Sequence, residues 1–414
     1  MHIPKQQLQQ QRQQAMQRYI RYRKKRNKLI GTAVVLCLML LFFTSIRVSP
    51  TVANYVSKVP GLQVIVALLG QDKGMQDIVA HDYYESLGQY ATKDGITVQL
   101  QGAIIDEYDV FLAYSISYLQ PRTSHNDYSI DVYQGETKLE APYSWGSMDG
   151  LDGQEPLRVT EHSMNMALPT PLHLNESHFT VVLTFDDGPV ITIPFTWTHP
   201  IAPAKKTTTP LVIEAGGQQI IIEEIRRTPM RLAIDVALDE ANTQQILALD
   251  GLAATLKNGP TRERISNGFT ATGTMREGNV TYFLQSNYFY DSDEITLHIE
   301  AIQAVPKGQD FIEVDFTTNE VLYQPPYLQA DIRVNDHTVA ATIPDMVLKQ
   351  QLFYSALTED NETIYSISST FSHNDTVSIV TEQFETDVTR AKLFVHYIQR
   401  PIAQNLDIKM PLTN

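Results

Sequence analysis

Eighteen consecutive residues without a charge, Leu29 to Ile46, separate a basic N-terminus from a long acidic remainder. As a helix, that run is just long enough to cross a bilayer core of roughly 30 Å. A helix is also the form that satisfies its own backbone hydrogen bonds in hydrocarbon. The flanks set the expected orientation. Residues 1–28 carry nine Lys or Arg and no acid, whereas residues 29–414 carry 23 basic and 47 acidic side chains. Basic flanks stay in the cytoplasm, so residues 47–414 are expected outside. A cleaved export signal would have a shorter basic region and a small-x-small cleavage site. Here Arg47 follows the apolar run directly, and Thr51-Val52-Ala53 is a poor cleavage site. The reading is therefore a retained anchor contacting membrane lipid through Leu29–Ile46.

The single cysteine, Cys37, lies inside that span. The exterior therefore has no disulfide and no thiolate metal site, and its stability must come from packing. Its acidic excess argues against a nucleic-acid partner. Asn175, Asn279, Asn361 and Asn374 sit in Asn-x-Ser/Thr sequences, which matter only in a glycosylating host.

Along the chain, residues 1–28 read as a Gln-rich, basic cytoplasmic arm with few apolar residues. Residues 47–89 read as a helical juxtamembrane segment. Leu62, Ile65, Val66 and Leu69 make an i, i+3, i+4, i+7 stripe, and Met75, Ile78 and Val79 continue it. From residue 90 the apolar period changes to two, as in Phe179–Phe185, with turn residues at short intervals. The expected fold is mostly β: one transmembrane helix, a short helical stalk, then tandem Ig-like β-sandwich modules. The expected boundaries are 90–202 for the first module, 203–210 for a Pro/Thr linker, 211–324 for the second module and 325–414 for the third.

Strand pairs carry that division. Opening pairs are Ile96–Leu100 with Val110–Ile116, Gln219–Ile225 with Arg231–Leu238, and Ala330–Val334 with Thr338–Ile343. Closing pairs are Phe179–Phe185 with Val190–Trp197, Ile295–Ile302 with Phe311–Phe316, and Lys392–Ile398 with Leu406–Met410.

Chemistry-bearing strings are few. Thr184-Phe185-Asp186-Asp187-Gly188-Pro189 resembles the first motif of the polysaccharide deacetylases, in which one Asp is the base and the next binds metal. That resemblance implies a His-x-x-x-His pair downstream. His199, His298, His337, His373 and His396 offer none at that spacing. Asp-Gly between two alternating runs is a hairpin turn. Ser-His-Asn-Asp at Ser124–Asp127 and again at Ser372–Asp375 reads as a capped turn, because a hydrolytic triad draws on separated segments. The acidic clusters Asp149–Gly153, Asp291–Glu294 and Glu359–Glu362 lack the EF-hand spacing. His173 and His178 have no third ligand nearby in sequence. No catalytic, cofactor-binding or metal residue is assigned, no cofactor is expected, and the chain is read as not an enzyme.

Arg47–Leu62 directly after a membrane span, then Asp82-Tyr83-Tyr84 and Asp94-Gly95-Ile96-Thr97-Val98, resemble the domain-of-unknown-function family 4179 of Gram-positive, Bacillus-like bacteria. Asp293–Ile302 with Phe311–Phe316 resembles the Ig-like modules that often follow it. The resemblance implies an envelope location, and many such proteins accompany extracytoplasmic-function sigma factors. The function expected is non-catalytic binding of an envelope protein or polysaccharide. The alternative is an anti-sigma-like or envelope-stress regulator whose partner is a sigma factor. The 28-residue arm, with no Cys and little apolar surface, is small for covering one.

Overall fold

A computed structural model describes residues 72–412, apart from 123–126, 148–156, 187, 208, 266–269, 345–351, 354, 374–376, 386 and 397–400. The basic arm 1–28, the expected span Leu29–Ile46 and most of the expected juxtamembrane segment lie outside the described residues. Among the described residues, no helix is long and apolar enough to cross a membrane.

Six antiparallel sheets enclose three separate apolar cores, so the described chain is mostly β and sandwich-like. Alternation is the cause. In His178–Phe185, the residues Phe179, Val181, Leu183 and Phe185 are buried and their neighbours are not. Period two puts those four on one face, where they meet Leu112, Tyr114 and Ile116 of the facing sheet. Each aliphatic side chain so buried contributes about 1.5–3 kcal/mol.

In the first module a six-stranded sheet runs through Ile96–Ile105, Asp109–Arg122 and Leu157–Ala167. A four-stranded sheet covers it. The second module faces a six-stranded sheet containing Gln218–Arg227, Arg231–Leu238 and Asn279–Gln285 against a five-stranded sheet centred on Glu294–Pro306. The third pairs a five-stranded sheet around Phe311–Asp315 and Arg390–Phe394 with a four-stranded sheet around Thr338–Pro344.

Four of the expected strand pairs form in the expected partnership. Two do not. Phe311–Asp315 pairs with Arg390–Phe394, not with Ile295–Ile302. Leu406–Met410 pairs with Ile295–Ile299, not with Lys392–Ile398. The turn at Pro306–Asp310 carries the chain out of one sandwich and into the next. The final strand, Ala403–Pro411, brings it back. Residues 311–394 are thus inserted between two neighbouring strands of the second module.

Two other segments differ from expectation. Within 72–89 the helix is confined to Lys73–Ala80, and Glu85–Ser86 is already a strand on Gly102 and Ala103. Asp72 caps that helix, accepting from Gly74 N–H at 2.7 Å and Met75 N–H at 3.1 Å. The helix packs on the second module so closely that a Cβ on Gly74 would lie 2.7 Å from Ser286 N. Second, the expected linker 203–210 contains a strand. Lys205–Thr207 pairs with Ile225–Arg227, and Thr207 is buried. Three consecutive residues with free amides and no glycine or proline are enough to extend a sheet edge.

Candidate functional site at the joint of the first two modules

The first and second modules meet through charged groups at strand ends. Asp106 closes the turn before Asp109–Arg122, and Arg231 opens Arg231–Leu238. Both carboxylates, Asp106 and Asp109, are fully buried. Arg231 Nη2 lies 2.6 Å from Asp109 Oδ1 and donates to Asn165 Oδ1 at 3.0 Å. Its guanidinium rests over the Phe283 ring, 4.7 Å from the centroid. Asp106 accepts from Tyr108 N–H on its own module and from Met230 N–H on the other, each at 2.9 Å. Burial raises the pKa of both carboxylates. Arg231 opposes the rise, and for Asp109 the charge of Asp106 adds to it.

The chain crossing between modules reinforces the joint. Tyr83 Oη accepts from Ala202 N–H at 2.8 Å and donates to the Ile105 carbonyl at 3.0 Å. Ala204 N–H donates to Glu107 at 2.6 Å, and Lys206 donates to Tyr108 Oη at 2.6 Å. A small patch of Ala167, Ala233, Ile265 and Phe283 fills the space beside these groups.

A cleft of about 470 Å³ opens above this floor. Its polar wall is a closed network. Arg226 pairs with both oxygens of Asp235 and with Glu224 Oε1 at 2.9 Å, and Thr281 donates to Asp235 at 2.7 Å. Arg226 also lies over the Tyr108 ring. Leu168, Pro142 and Val280 supply apolar surface. Two carboxylates hold the one guanidinium closed, which leaves threonine hydroxyls, Asn279 and Glu223 at the rim as hydrogen-bonding groups.

The strings singled out in the sequence lie elsewhere. Asp186 sits in the turn between His178–Phe185 and Val190–Thr196, its N–H donated to the Asp127 carbonyl at 3.0 Å, and Asp187 lies outside the described residues. The histidines are dispersed. His298 is held by Asp407 and Thr255, His337 by the Val388 carbonyl, and His396 lies near Ser355 Oγ. His178 is bonded to Glu176 and not to His173. Asp291 and Asp293 face Lys205 and Lys257, and Glu359 faces Arg390. Asp149–Gly153 and residues 123–126 and 374–376 lie outside the described residues. Among the described residues, no three His, Cys, Asp or Glu side chains converge as metal ligands.

Reading strands by period alone missed the joint. Its signal was there: Asp106 and Asp109 flank a tight turn between apolar runs, and Arg231 and Asp235 interrupt a strand whose other residues are apolar.

The fold and its joints define a chain of antiparallel sandwich-like modules linked by polar interfaces. Residues 22–117 match the domain of unknown function DUF4179, and residues 205–331 match the family of unknown function DUF5643. The chain therefore carries a DUF4179 domain followed by a DUF5643 region. The second match begins at the strand Lys205–Thr207, so it includes the segment expected to be a linker. No curated protein sequence matches the chain. Among solved structures, a conserved domain protein from Bacillus anthracis aligns over 58% of this chain and 84% of its own, at 11% identity and a TM-score of 0.37. The cycloalternan-forming enzyme from Listeria monocytogenes, in complex with a pentasaccharide substrate, aligns over 70% of this chain and 29% of its own, at 8% identity and a TM-score of 0.16. At such TM-scores neither likeness bears on fold or function.

Proposed function

We propose that the protein is a membrane-anchored, extracytoplasmic binding protein without catalytic activity, and that the joint cleft receives an uncharged polar ligand of glycan type. The observation that carries this reading is the closed wall of the cleft, with Arg226 held by Asp235 and Glu224. Such a wall offers no open guanidinium to an anion. It fixes hydrogen-bonding groups in place for a ligand rich in hydroxyls. Its volume of about 470 Å³ falls in the range of small-molecule sites. In this reading the sandwiches are Ig-like and the span Leu29–Ile46 holds them at the cell envelope.

The test uses the full-length chain in lipid nanodiscs and a panel of neutral oligosaccharides followed by calorimetry. Thr272→Trp fills the cleft from its rim. Binding that this variant abolishes supports the assignment. Binding that it leaves untouched, or no binding by any neutral glycan, removes it.

A further inference from the structure

A second cleft, of about 420 Å³, lies where the second module meets the inserted third. Its charge is arranged differently from the first. Arg264 is exposed, and no carboxylate pairs with it among the described residues. Its contacts are a long one, 3.4 Å from Nη2 to the Leu249 carbonyl, and the Tyr282 ring, 5.9 Å from guanidinium to centroid. Arg276 is already committed. It lies flat on the Phe394 ring, 3.4 Å from the centroid, and is paired with Asp310. Glu277 is the one carboxylate along the wall among the described residues. From the third module come Tyr365, a residue 62% exposed, and the hydroxyls of Ser355 and Thr363. His396 on the same wall is neutral at physiological pH, since burial lowers its pKa to about 4.

We propose that this cleft binds an acidic sugar, a pyranose bearing a carboxylate or phosphate, with the anion on Arg264 and one ring face on Tyr365. A guanidinium with open donors meets either anion through a planar two-bond fork. An exposed aromatic face supplies the apolar platform that the C–H face of a sugar ring requires. Glu277 and the hydroxyls are placed to accept from and donate to the remaining sugar hydroxyls. The ligand class differs from that of the first cleft because the arginines differ: Arg226 is closed by two carboxylates, and Arg264 is open.

Four probes titrated by calorimetry into the full-length protein in nanodiscs test this: cellobiouronic acid, glucose 6-phosphate, cellobiose and inorganic phosphate. One or both acidic sugars should bind at least about tenfold more tightly than cellobiose and than phosphate alone. Arg264→Gln and Tyr365→Ala should each weaken that binding by about tenfold or more, with unchanged thermal unfolding, since both side chains are exposed. Arg264→Lys should recover only part, because lysine lacks the fork. Thr272→Trp in the first cleft should have no effect, so the two sites fail separately. Equal binding of cellobiose, equal binding of inorganic phosphate, no binding of either acidic sugar, or full binding by Arg264→Gln would each overturn the proposal.

Discussion

Arg231 and Asp109 belong to different sandwiches, yet their charged atoms lie 2.6 Å apart with both side chains buried. Asp106 shares the same cation. Removing the arginine alone leaves two buried carboxylates without it. Arg231→Met should therefore destabilise the chain by about 3–5 kcal/mol. Adding Asp109→Leu should recover a large part of that loss, because a buried pair replaced by apolar groups is often neutral. Urea unfolding of the single and double variants measures both. A single variant as stable as the parent would show that the pair does not hold the joint.

The two modules flanking the second should respond to pH in opposite directions. Burial raises Asp106 and Asp109, so the folded chain holds those protons more tightly than the unfolded one. Their contribution is complete below the ordinary carboxylate range and is lost as pH rises through the raised values. His396 is lowered from 6.5 to about 4, so the folded chain binds that proton less tightly. Its contribution is complete above 6.5 and is lost, on the order of 2–3 kcal/mol, as pH falls toward 4. Hydrogen exchange at pH 5 and pH 9 should show acid loosening around Ser355 and His396, and alkaline loosening around Asp109 and Met230. His396→Phe should flatten the acid limb alone.

Tyr84 lies against Gly102 where the strand register shifts between Leu100 and Gly102. A Cβ at that glycine would sit 1.8 Å from Tyr84 Oη. Gly102→Ala is expected to cost about 1–3 kcal/mol by overpacking. Burial raises the Tyr84 hydroxyl to about 12, and the variant should bring its titration back toward 10. Ultraviolet titration and thermal unfolding check the two effects together.

Met410 is buried in the core of the second module, although it stands near the end of the sequence. Met410→Asp should cost about 3 kcal/mol or more through an unpaired buried carboxylate. Native-state exchange should show the loss of protection in Glu294–Ile302, with Thr338–Pro344 less affected. The reverse pattern would contradict the pairing of Ala403–Pro411 with the second module.

A protease added to intact cells should remove an epitope tag placed after Asn414, while a tag before Met1 stays protected. Protection of the C-terminal tag would place the modules inside and overturn the envelope reading.

Strand positions were legible because alternation survives wherever one face is buried, as in Phe179–Phe185. Hairpins such as Gln219–Ile225 with Arg231–Leu238 were legible for the same reason, since a short turn leaves one partner available. Longer connections carry no such constraint. Nothing in the residues of Phe311–Asp315 says whether the strand continues the sheet of Ile295–Ile302 or opens another. The pairing is fixed by Arg390–Phe394, far along the chain. The joint escaped notice because Arg231 and Asp109 read singly as polar strand ends, and their meaning is their distance. Lys205–Thr207 was hidden by its prolines, which flank the paired residues without interrupting them.

The insertion of residues 311–394 bears on how such a polypeptide matures. A chain emerging N-terminus first presents the central strand Glu294–Pro306 well before its outer neighbour, Ala403–Pro411, becomes available. Until then that edge stays open to any extended segment nearby, so the order of emergence leaves the edge of Glu294–Pro306 exposed and makes Ala403–Pro411 the stitch that seals it.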